Sequence, residues 1–389
     1  MRSRIFRFDW LAFAATLALV AIGTVAIWSA GNARAEQVFH GMWKAHLATA
    51  VVGFALYLVL ALADYRRTLG ILSVPAYVAS LALLVAVLAF GSTVYGGRRW
   101  LWFFQPSEVA KLCVIAVVAV LFGAPLSPFA RFRRSFRGFL CAGALIGVPT
   151  LLILAEPDLG TALTLVPACV VMVFVAGVWR KGLATIAAVG GVAALLVLGA
   201  VYEAERPGVS AERRERILRH VPLKPHQLKR VRVFLFPERD QMGAGYNLRQ
   251  AQISIGSGGL TGKGVGKGES NHLKYLPQAI SMNDFIFCVW AEETGFVGSL
   301  ALLALFGVLL ASGCRIAFVT ADGCGRLLAL GMTTLLFAHV YVNIAMSVGL
   351  MPITGLPLPF ISSGRTFLVT VMCGLGLVQS VSIHREELS

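Results

Sequence analysis

Long apolar stretches alternate with short polar connections along almost the whole chain. A helix needs about 20 apolar residues to cross the hydrocarbon core of a bilayer. The pattern therefore predicts an all-α polytopic membrane protein, a single membrane domain over residues 1–389, with about ten transmembrane helices. The predicted spans are 10–30, 44–63, 69–91, 108–124, 138–155, 160–178, 182–202, 284–312, 325–349 and 356–383.

One polar stretch, 203–283, is much longer than the others and lies between the seventh and eighth predicted helices. Within it, the basic run 211–219 has the pattern of an amphipathic helix, which lies either on the membrane surface or in solvent. The first apolar run, 10–30, has full spanning length and is not followed by an evident small-residue cleavage site. We therefore predict a retained helix there rather than a signal peptide.

The placement of Lys and Arg predicts the orientation, because short cytoplasmic loops carry an excess of these residues. With the N-terminus inside, the cytoplasmic segments hold fourteen of them and the short outer loops only four. Both termini are therefore predicted to be cytoplasmic, and the loop 203–283 to be extracytoplasmic. The cytoplasmic set is Arg2, Arg4, Arg7, Arg66, Arg67, Arg131, Arg133, Arg134, Arg137, Arg180, Lys181, Arg315, Arg326 and Arg385, and the outer set is Arg34, Lys44, Arg98 and Arg99.

Composition supports a membrane environment and excludes several site types. The chain is 57% hydrophobic and 14% charged, whereas soluble domains carry about 25% charged residues. The net charge of +15 is interrupted by apolar runs throughout, so nucleic acid is not the predicted partner. The seven cysteines form no CxxC pair and the histidines no HExxH motif, so a zinc site built by the protein is not predicted.

The long outer loop is itself basic, with 14 Lys and Arg against 7 Asp and Glu. Such charge favours an anionic ligand, and attraction to anionic lipid headgroups is the alternative explanation. The loop contains the glycine-rich stretch Gly256–Gly268 with Lys263 and Lys267, which matches neither a Walker A loop nor GxGxxG. A pyrophosphate cradle and a flexible glycine-rich turn both remain open for it.

Six carboxylates lie in or beside the predicted spans, where a charge is costly and therefore points to function or pairing. Glu108 and Lys111 are three residues apart and can pair on one helix face. Glu156 and Asp158 flank Pro157 in a tight outer turn, where they either cap the next helix or bind a ligand. The six carboxylates are Glu108, Glu156, Asp158, Asp284, Glu292 and Glu293.

Asp284 follows the basic loop directly, at the outer start of the eighth predicted helix, with Asn283 as a candidate N-cap. The positive end of a helix favours an ionised carboxylate. An ionised group in this place suits a general base acting on a sugar hydroxyl, and a helix-dipole role is the structural alternative. Glu292 lies eight residues further on, about 12 Å along a helix, which is too far for a close carboxylate dyad.

The last outer turn, Met351–Ser362, contains three prolines and Thr354. Prolines at this density predict a stiff, broken connection into the tenth helix. Irregular backbone at membrane depth is tolerated only against protein or a wet cavity. The turn therefore either lines a site or serves as a rigid helix connection.

These motifs together resemble the shape, elongation, division and sporulation (SEDS) polymerases, whose best-known members are RodA and FtsW. The match runs over most of the chain, in order. It rests on Gly97-Arg-Arg-Trp100, Gln105-Pro-Ser-Glu108 with Lys111, Pro157-Asp-Leu-Gly-Thr-Ala162, Gly245-Tyr-Asn, Ile255-Gly-Ser-Gly-Gly-Leu260, Tyr275-Leu-Pro277, Asp284-Phe-Ile-Phe287, Glu292-Glu293 and Gly349–Ser362.

The resemblance implies a ten-helix membrane fold in the bacterial inner membrane. It implies glycosyl transfer between lipid II molecules, with a class B penicillin-binding protein as transpeptidase partner within the elongation or division machinery. Pro352-Ile-Thr-Gly355 looks more like RodA, which serves cell elongation and cell shape, than like FtsW. Two stretches depart from the family pattern: Met282-Asn283 stands where His-Thr is usual, and Ser363-Gly-Arg365-Thr where Tyr-Gly-Gly-Ser is usual.

The family's essential loop aspartate matches Asp284, which we expect to be the general base of an inverting transfer that releases undecaprenyl pyrophosphate. A divalent cation, Mg²⁺ or Mn²⁺, is a candidate cofactor. Two further sets of residues are expected around the site. The substrate-binding candidates are Arg99, Trp100, Arg249, Ser257, Lys263, Lys267, Thr354 and Ser362, and the candidates that support the site are Glu108, Lys111, Asp158 and Glu292.

Two other functions compete with polymerisation. A flippase for the lipid-linked precursor would place polar groups at the bilayer midplane, open to both sides, whereas the candidates here crowd the outer face. A non-catalytic scaffold for a transpeptidase is kept open by the departures beside Asp284. Synthesis of glycan from lipid II in detergent, where no leaflet exists, separates an enzyme from a flippase.

Overall fold

The computed structural model describes residues 7–32, 37–94, 97–101, 104–124, 127, 129, 131–206, 208–240, 243–269 and 277–385. Several residues singled out from the sequence fall outside this set. They are Arg2, Arg4, Arg34, Lys274, Tyr275 and Leu276, and the side chain of Arg98.

The described residues are almost entirely helical. The helices before the long loop are α1 (Trp10–Asn32), α2 (Gln37–His40), α3 (Met42–Leu62), α4 (Tyr65–Phe90), α5 (Pro106–Gly123), α6 (Phe136–Ala155), α7 (Leu159–Val175) and α8 (Arg180–Ala204). Those in and after the loop are α9 (Ala211–Arg219), α10 (Pro225–Leu235), the 3-10 turn Pro237–Arg239, α11 (Ala244–Ser257), α12 (Gln278–Asn283), α13 (Ile286–Val319), α14 (Gly323–Ser347) and α15 (Arg365–His384). A small antiparallel hairpin that the sequence did not predict, β1 (Ser92–Val94) and β2 (Gly97–Trp100), joins α4 to α5.

Nine of the described helices are long and apolar enough to cross a membrane. The helix α7 is the shorter tenth, with 17 residues, or about 25 Å. The protein is thus a multi-pass membrane protein, and the predicted all-α membrane fold is confirmed. One boundary differs clearly: α15 begins at Arg365 and not at 356, because the prolines between Met351 and Ser362 lack the N–H groups that a helix needs.

The helix α13 is broken at Gly295, whose φ of 66° and ψ of −161° lie in a region open essentially only to glycine. The break separates 286–294 from 296–319. The second part alone is about 36 Å long, enough to cross a hydrocarbon core of about 30 Å. The break therefore divides the predicted span 284–312, and the part after Gly295 is by itself long enough to cross a membrane.

The glycine-rich segment 258–266 packs against this break and satisfies its backbone. A broken helix leaves N–H and C=O groups that need partners when they are buried. Four backbone hydrogen bonds supply them: Lys263 N to Glu292 O (3.0 Å), Gly264 N to Glu293 O (2.9 Å), Phe296 N to Gly259 O (2.9 Å) and Val297 N to Leu260 O (3.1 Å). These glycines serve a close backbone approach, so the amides of Lys263 and Gly264 are not available to cradle a pyrophosphate.

The bundle is built around its most buried helices. Helix α14 packs against α5, α7 and α13, and α15 packs closely on α3. Small residues permit these approaches, since a Cβ added at Gly376 of α15 would lie 2.6 Å from the carbonyl oxygen of Tyr57 on α3. In contrast, α8 packs loosely, and only Gly182, Val201 and Ala204 are buried along its 25 residues.

The break at Gly295 gives the first prediction. A Cβ at this position would lie 2.4 Å from Gly262 N and would add backbone strain of about 1–3 kcal/mol. Gly295→Ala is therefore expected to lower the melting temperature of the detergent-solubilised protein. The matched control is Gly307→Ala in the same helix, where an added Cβ meets nothing within 4 Å and the helix gains up to about 1 kcal/mol. Equal melting temperatures for the two variants would contradict the account of the break.

Candidate active site

Asp284 lies in the short turn between α12 and α13 and is partly exposed. Its carbonyl oxygen accepts a hydrogen bond from Asn343 Nδ2 at 2.9 Å, and the same amide donates to Leu356 O at 2.7 Å. Asn343 therefore ties the turn that carries Asp284 to α14 and to the proline-rich segment. The side chain of Asp284 is left free of this backbone anchor.

Asn343 shows where Asp284 lies along α14. Asn343 lies twenty residues after Gly323 on α14, or about 30 Å along the helix, which is also the thickness of a hydrocarbon core. Asp284 thus lies at the end of α14 that is remote from the turn 320–322.

The prediction that Asn283 caps α13 is wrong. Asn283 is the last residue of α12, and the residue that precedes α13 is Phe285, which makes no side-chain cap. The side chain of Asn283 instead accepts from Ser363 Oγ at 2.6 Å. The turn is held from outside the helix because its neighbour in space is the segment before α15.

Ser362 also belongs to this anchoring rather than to an open substrate site. Its hydroxyl accepts from Leu358 N at 2.8 Å and donates to Asn283 O at 2.6 Å, and the side chain is buried. Thr354 is buried as well, with its hydroxyl 3.6 Å from Met346 Sδ. Both side chains were candidates for substrate binding, and the structure uses both within the protein.

Glycine at position 355 keeps space beside the carboxylate. A Cβ added there would lie 3.5 Å from Asp284 Oδ2, and the φ of 74° disfavours any side chain. The proline-rich segment therefore lines the site with backbone atoms, close to the one carboxylate that the sequence nominated as a base.

Arg99 approaches from the end of β2 and holds the turn after α6. Its Nε donates to Glu156 O at 3.4 Å, and Nη2 donates to Pro157 O. Its Nη1 lies 4.0 Å from Asp158 Oδ1. Arg99 therefore stabilises the predicted tight turn. The motif had placed this residue among the substrate-binding candidates.

Arg230 on α10 is the second cation of the site, and sequence reasoning did not single it out. Its Nη1 donates to Thr354 O at 3.1 Å. Burial raises the pKa of Asp284 to about 6, and the charges of Arg230 and Arg99 act against this rise. The pKa of Arg230 is lowered, mainly by burial and also by the charge of Arg99. The charges of Asp158 and Asp284 raise this pKa and offset part of the effect. Arg99, Asp158, Arg230 and Asp284 are therefore one electrostatic group.

Asp158 caps α7, which was one of its two predicted roles. It accepts from Thr161 N at 3.2 Å, from Thr161 Oγ1 at 2.8 Å and from Gln105 Nε2 at 3.2 Å. Glu156 beside it is buried, and burial followed by Asp158 raises the pKa of Glu156 to about 8, against the effect of Arg99. Glu156 is thus mostly protonated at neutral pH, so the turn carries one negative charge rather than two.

The Glu108–Lys111 pair forms as its spacing predicted. Lys111 Nζ lies 2.9 Å from Glu108 Oε2 and 2.8 Å from His339 Nε2, and all three residues are buried. A buried charge that has lost its partner costs several kcal/mol. This group therefore joins α5 to α14. Because α14 also carries Asn343, the group helps to fix the helix that anchors Asp284.

Lys263 and Glu292 lie together in a separate cluster. Lys263 Nζ is 2.9 Å from Glu292 Oε1 and 3.2 Å from Glu269 Oε2, and Glu292 also accepts from Ser254 Oγ at 2.9 Å. Partial burial would lower the pKa of Lys263, but its bonds to Glu292 and Glu269 raise it overall. The cluster fixes the glycine-rich segment to α13, which is a structural use of a predicted substrate-binding lysine.

The remaining substrate-binding candidates are more exposed. Trp100 ends β2 and is partly exposed, with its carbonyl oxygen accepting from Ser92 Oγ at 3.2 Å. Arg249, Ser257 and Lys267 are exposed on α11 and the glycine-rich segment. Ser257 Oγ donates to Ser254 O at 2.9 Å. The structure thus gathers Arg99, but not these loop residues, with Asp284.

Two residues of the site were missed, for different reasons. Asn343 is an amide within an apolar span, and an intramembrane polar group of this kind points to function. Arg230 is one of 14 basic residues in the loop 203–283. Nothing in its local pattern distinguishes it from Lys229 or Arg232, so only the fold could select it.

The side chains around Asp284 could also be considered as ligands for a metal ion. Among the described residues, no cluster of three or more His, Cys, Asp or Glu side chains could hold a metal ion. The carboxylates nearest to the site, Asp284 and Asp158, each face an arginine. The described side chains therefore do not form a complete ligand set for Mg²⁺ or Mn²⁺.

Comparison with known proteins agrees with the motifs. The chain is 36% identical over 378 residues to the peptidoglycan glycosyltransferase MrdB of Escherichia coli K12, covering 96% of this chain and 93% of that protein. It is 30% identical over 432 residues to the peptidoglycan glycosyltransferase RodA of Treponema pallidum, with coverages of 97% and 98%. It is 32% identical over 384 residues to the stage V sporulation protein E of Bacillus subtilis 168, with 96% of each covered.

Solved structures show the same architecture. A chain of a peptidoglycan synthase complex that coordinates polymerization and crosslinking superposes with a TM-score of 0.72 and 32% identity, covering 97% of this chain and 98% of that one. The rod shape determining protein RodA of Thermus thermophilus gives a TM-score of 0.66 and 29% identity, with 97% of each chain covered. The family of FtsW, RodA and SpoVE, described as cell cycle proteins, matches residues 9–387. The chain therefore belongs to this family, which is the SEDS family that its motifs resemble.

Proposed function

We propose that this protein is a peptidoglycan glycosyltransferase that polymerises lipid II into glycan strands, RodA-like and serving cell elongation and shape, with Asp284 as its general base. The observation that carries the proposal is one partly exposed carboxylate beside Gly355, next to the Thr354 carbonyl that Arg230 contacts, on which the charges of Arg230 and Arg99 act. Relatives that match nearly the whole chain and are named peptidoglycan glycosyltransferases support the activity.

The chemistry follows from the protonation state of Asp284. With a pKa of about 6, the carboxylate is mostly ionised at neutral pH, yet it is basic enough to take a proton. It removes the proton from the 4-hydroxyl of the acceptor GlcNAc as that oxygen attacks the anomeric carbon of the donor MurNAc. The α linkage to the lipid breaks, a β linkage forms, and undecaprenyl pyrophosphate leaves.

Arg99 and Arg230 are the cations in the best position for the negative charge that develops on the leaving group. Fixed cations aimed at developing charge stabilise a transition state without having to reorganise. Arg99 is itself fixed by two carbonyl oxygens, and Arg230 by Thr354 O. From the sequence, Lys263, Lys267 and Arg249 were expected to be substrate-binding cations, and Arg230 was not among them.

A divalent cation, Mg²⁺ or Mn²⁺, is retained as a candidate cofactor that would supply further positive charge to a diphosphate. Because the described side chains form no complete ligand set, such an ion would depend on the substrate's own oxygens. No step above requires it, since the proton transfer is made by Asp284 alone.

The partner and the orientation complete the proposal. A similar chain occurs in a synthase complex that joins polymerization to crosslinking, which supports a class B penicillin-binding protein as partner. The distribution of Lys and Arg supports an inner-membrane topology with both termini cytoplasmic. Asp284 then faces the extracytoplasmic side, where polymerisation of the wall takes place.

Replacing the base is the direct test. Asp284→Asn should reduce the rate of glycan synthesis from lipid II in detergent by about 10²- to 10⁴-fold, measured as chain formation on a gel. The fold should persist, because the anchor to Asn343 uses the backbone carbonyl of residue 284. Asp240→Asn, in the same loop region, is the matched control and should leave the rate near that of wild type. Glycan output from Asp284→Asn equal to that of wild type would rule out the assignment.

The rate should also depend on pH with the sign of a base. Burial raises the pKa of Asp284 to about 6, so the active, ionised form is lost as the pH falls through that value. We expect the rate of lipid II polymerisation to rise with pH, with a midpoint near 6, and then to level off. A rate that falls as the pH rises through this range would contradict a carboxylate base.

The orientation predicts the behaviour of fused reporters. Alkaline phosphatase is active only outside the cytoplasm, so a fusion at the C-terminus should be inactive and a fluorescent protein there should fluoresce. Phosphatase inserted after Gly208, an exposed position of the outer loop, is the positive control. Active phosphatase at the C-terminus would reverse the proposed topology.

A further inference from the structure

A buried carboxylate lies at the outer end of α8, away from the site described above. Glu205 is only 4% exposed although it carries a charge. Three arginines contact it: Arg214 Nη2 at 2.7 Å and Arg232 Nε at 2.9 Å from Oε1, and Arg239 Nη1 at 2.9 Å from Oε2. We call these four residues the Glu205 cluster.

The Glu205 cluster joins four elements. Glu205 directly follows α8, Arg214 belongs to α9, Arg232 to α10 and Arg239 to the 3-10 turn. Few residues of α8 are buried, so these ion pairs, together with the stacked rings of Tyr202 and Phe236, fix the end of α8 to the loop helices. Removing the central acid would leave three cations close together without a counter-charge, which is strongly unfavourable.

Helix α10 connects the Glu205 cluster with the Asp284 site. Arg232 points to Glu205, and Arg230, two residues earlier, donates to Thr354 O. Two residues correspond to a rotation of about 200° on a helix, so the two arginines extend from opposite faces. The helix α10 therefore links the two sites. Arg232 on one face is fixed by Glu205, and Arg230 on the other face contacts the segment beside Asp284.

We propose that Glu205 is a positioning residue for the reaction: its ion pair with Arg232, and those with Arg214 and Arg239 in the elements before and after α10, hold this helix where Arg230 contacts Thr354 O, next to the Gly355 that lines Asp284. This proposal rests on the proposed function. Glu205 itself touches neither Asp284 nor the segment around Thr354, so it acts only through α10.

The proposal has a specific electrostatic consequence. The charged groups that face Asp284 are Arg99 from β2 and Arg230 from α10, and Asp158 from α7 acts on Arg230. The neighbours from α14 and the proline-rich segment, Asn343 and Gly355, are uncharged. Only Arg230 is carried by α10. When α10 loosens, Asp284 loses one of its two cations, and the midpoint of its ionisation moves to higher pH.

The test measures the pH dependence of lipid II polymerisation by the purified full-length protein in detergent. Glu205→Gln should move the midpoint from near 6 upward by about one pH unit. Below the midpoint this shift costs about a tenfold loss of rate, in addition to a pH-independent loss because the displaced Arg230 also serves the leaving group. Glu205→Asp should restore the profile in part. The matched control is Glu203→Gln, because Glu203 also pairs with arginines, Arg206 and Arg213, but is partly exposed. The control should leave the profile unchanged.

A second variant tests whether the effect passes through Arg230. Arg230→Gln should shift the midpoint by a similar amount, and the double variant with Glu205→Gln should shift it no further, since the two residues act in series. A Glu205→Gln profile equal to that of wild type, or shifts that add in the double variant, would overturn the proposal. If Glu205→Gln does not fold, Arg232→Gln removes a single ion pair, and its profile decides in the same way.

Hydrogen exchange gives a readout that does not depend on activity. Glu205→Gln should increase amide exchange in α10, whereas Glu203→Gln should not, and unchanged exchange in α10 would overturn the proposal by itself. Failure of the proposed function has another signature: wild-type protein makes no glycan, or Asp284→Asn remains active. The two ideas can therefore fail separately.

Discussion

The proposed chemistry depends on keeping the carboxylate of Asp284 ionised although the surrounding protein partly buries it. Burial alone favours the neutral acid, because a charge in a medium of low polarity loses its hydration. Arg99 and Arg230 offset part of this effect and leave Asp284 with a pKa of about 6. The same balance suits the proposed base, since a group with a much lower pKa would hold a proton too weakly.

Two stretches of irregular backbone, the proline-rich segment beside this carboxylate and the break in α13, have their backbone groups satisfied by the protein. Unpaired backbone groups are too costly within a membrane. The break at Gly295 is closed by hydrogen bonds from the glycine-rich segment. The proline-rich segment is closed by Asn343 and Ser362. Residues that resemble ligand-binding motifs in the sequence are therefore used to stabilise non-helical backbone.

Much of the fold could be predicted from the sequence because the bilayer imposes a simple rule of length and polarity. The apolar stretches located the spans, and the i, i+3 spacing of Glu108 and Lys111 predicted their pair. The predicted start of the last helix was wrong because several prolines precede Arg365. The break in α13 was not predicted because composition does not reveal the backbone conformation of a single glycine such as Gly295. Asp284 was nominated because a carboxylate at a span boundary is conspicuous, and its role as a base stays a prediction. The pairing of Lys263 with Glu292 could not be predicted, because the two residues are 29 positions apart.

The sequence by itself determined that the chain is a helical membrane protein and that its long loop 203–283 is basic, and it nominated Asp284 as the candidate base. These properties depend on local composition and on spacing within one helix. Only the tertiary structure decided which cations among the many in the loop 203–283 reach that base. Arg230 is selected by the direction in which α10 lies, and that direction is set by contacts between residues distant in the chain, such as Glu205 with Arg232 and Arg239. Charge can be counted along a sequence, but the electrostatic field at one oxygen depends on distances that exist only in the folded chain.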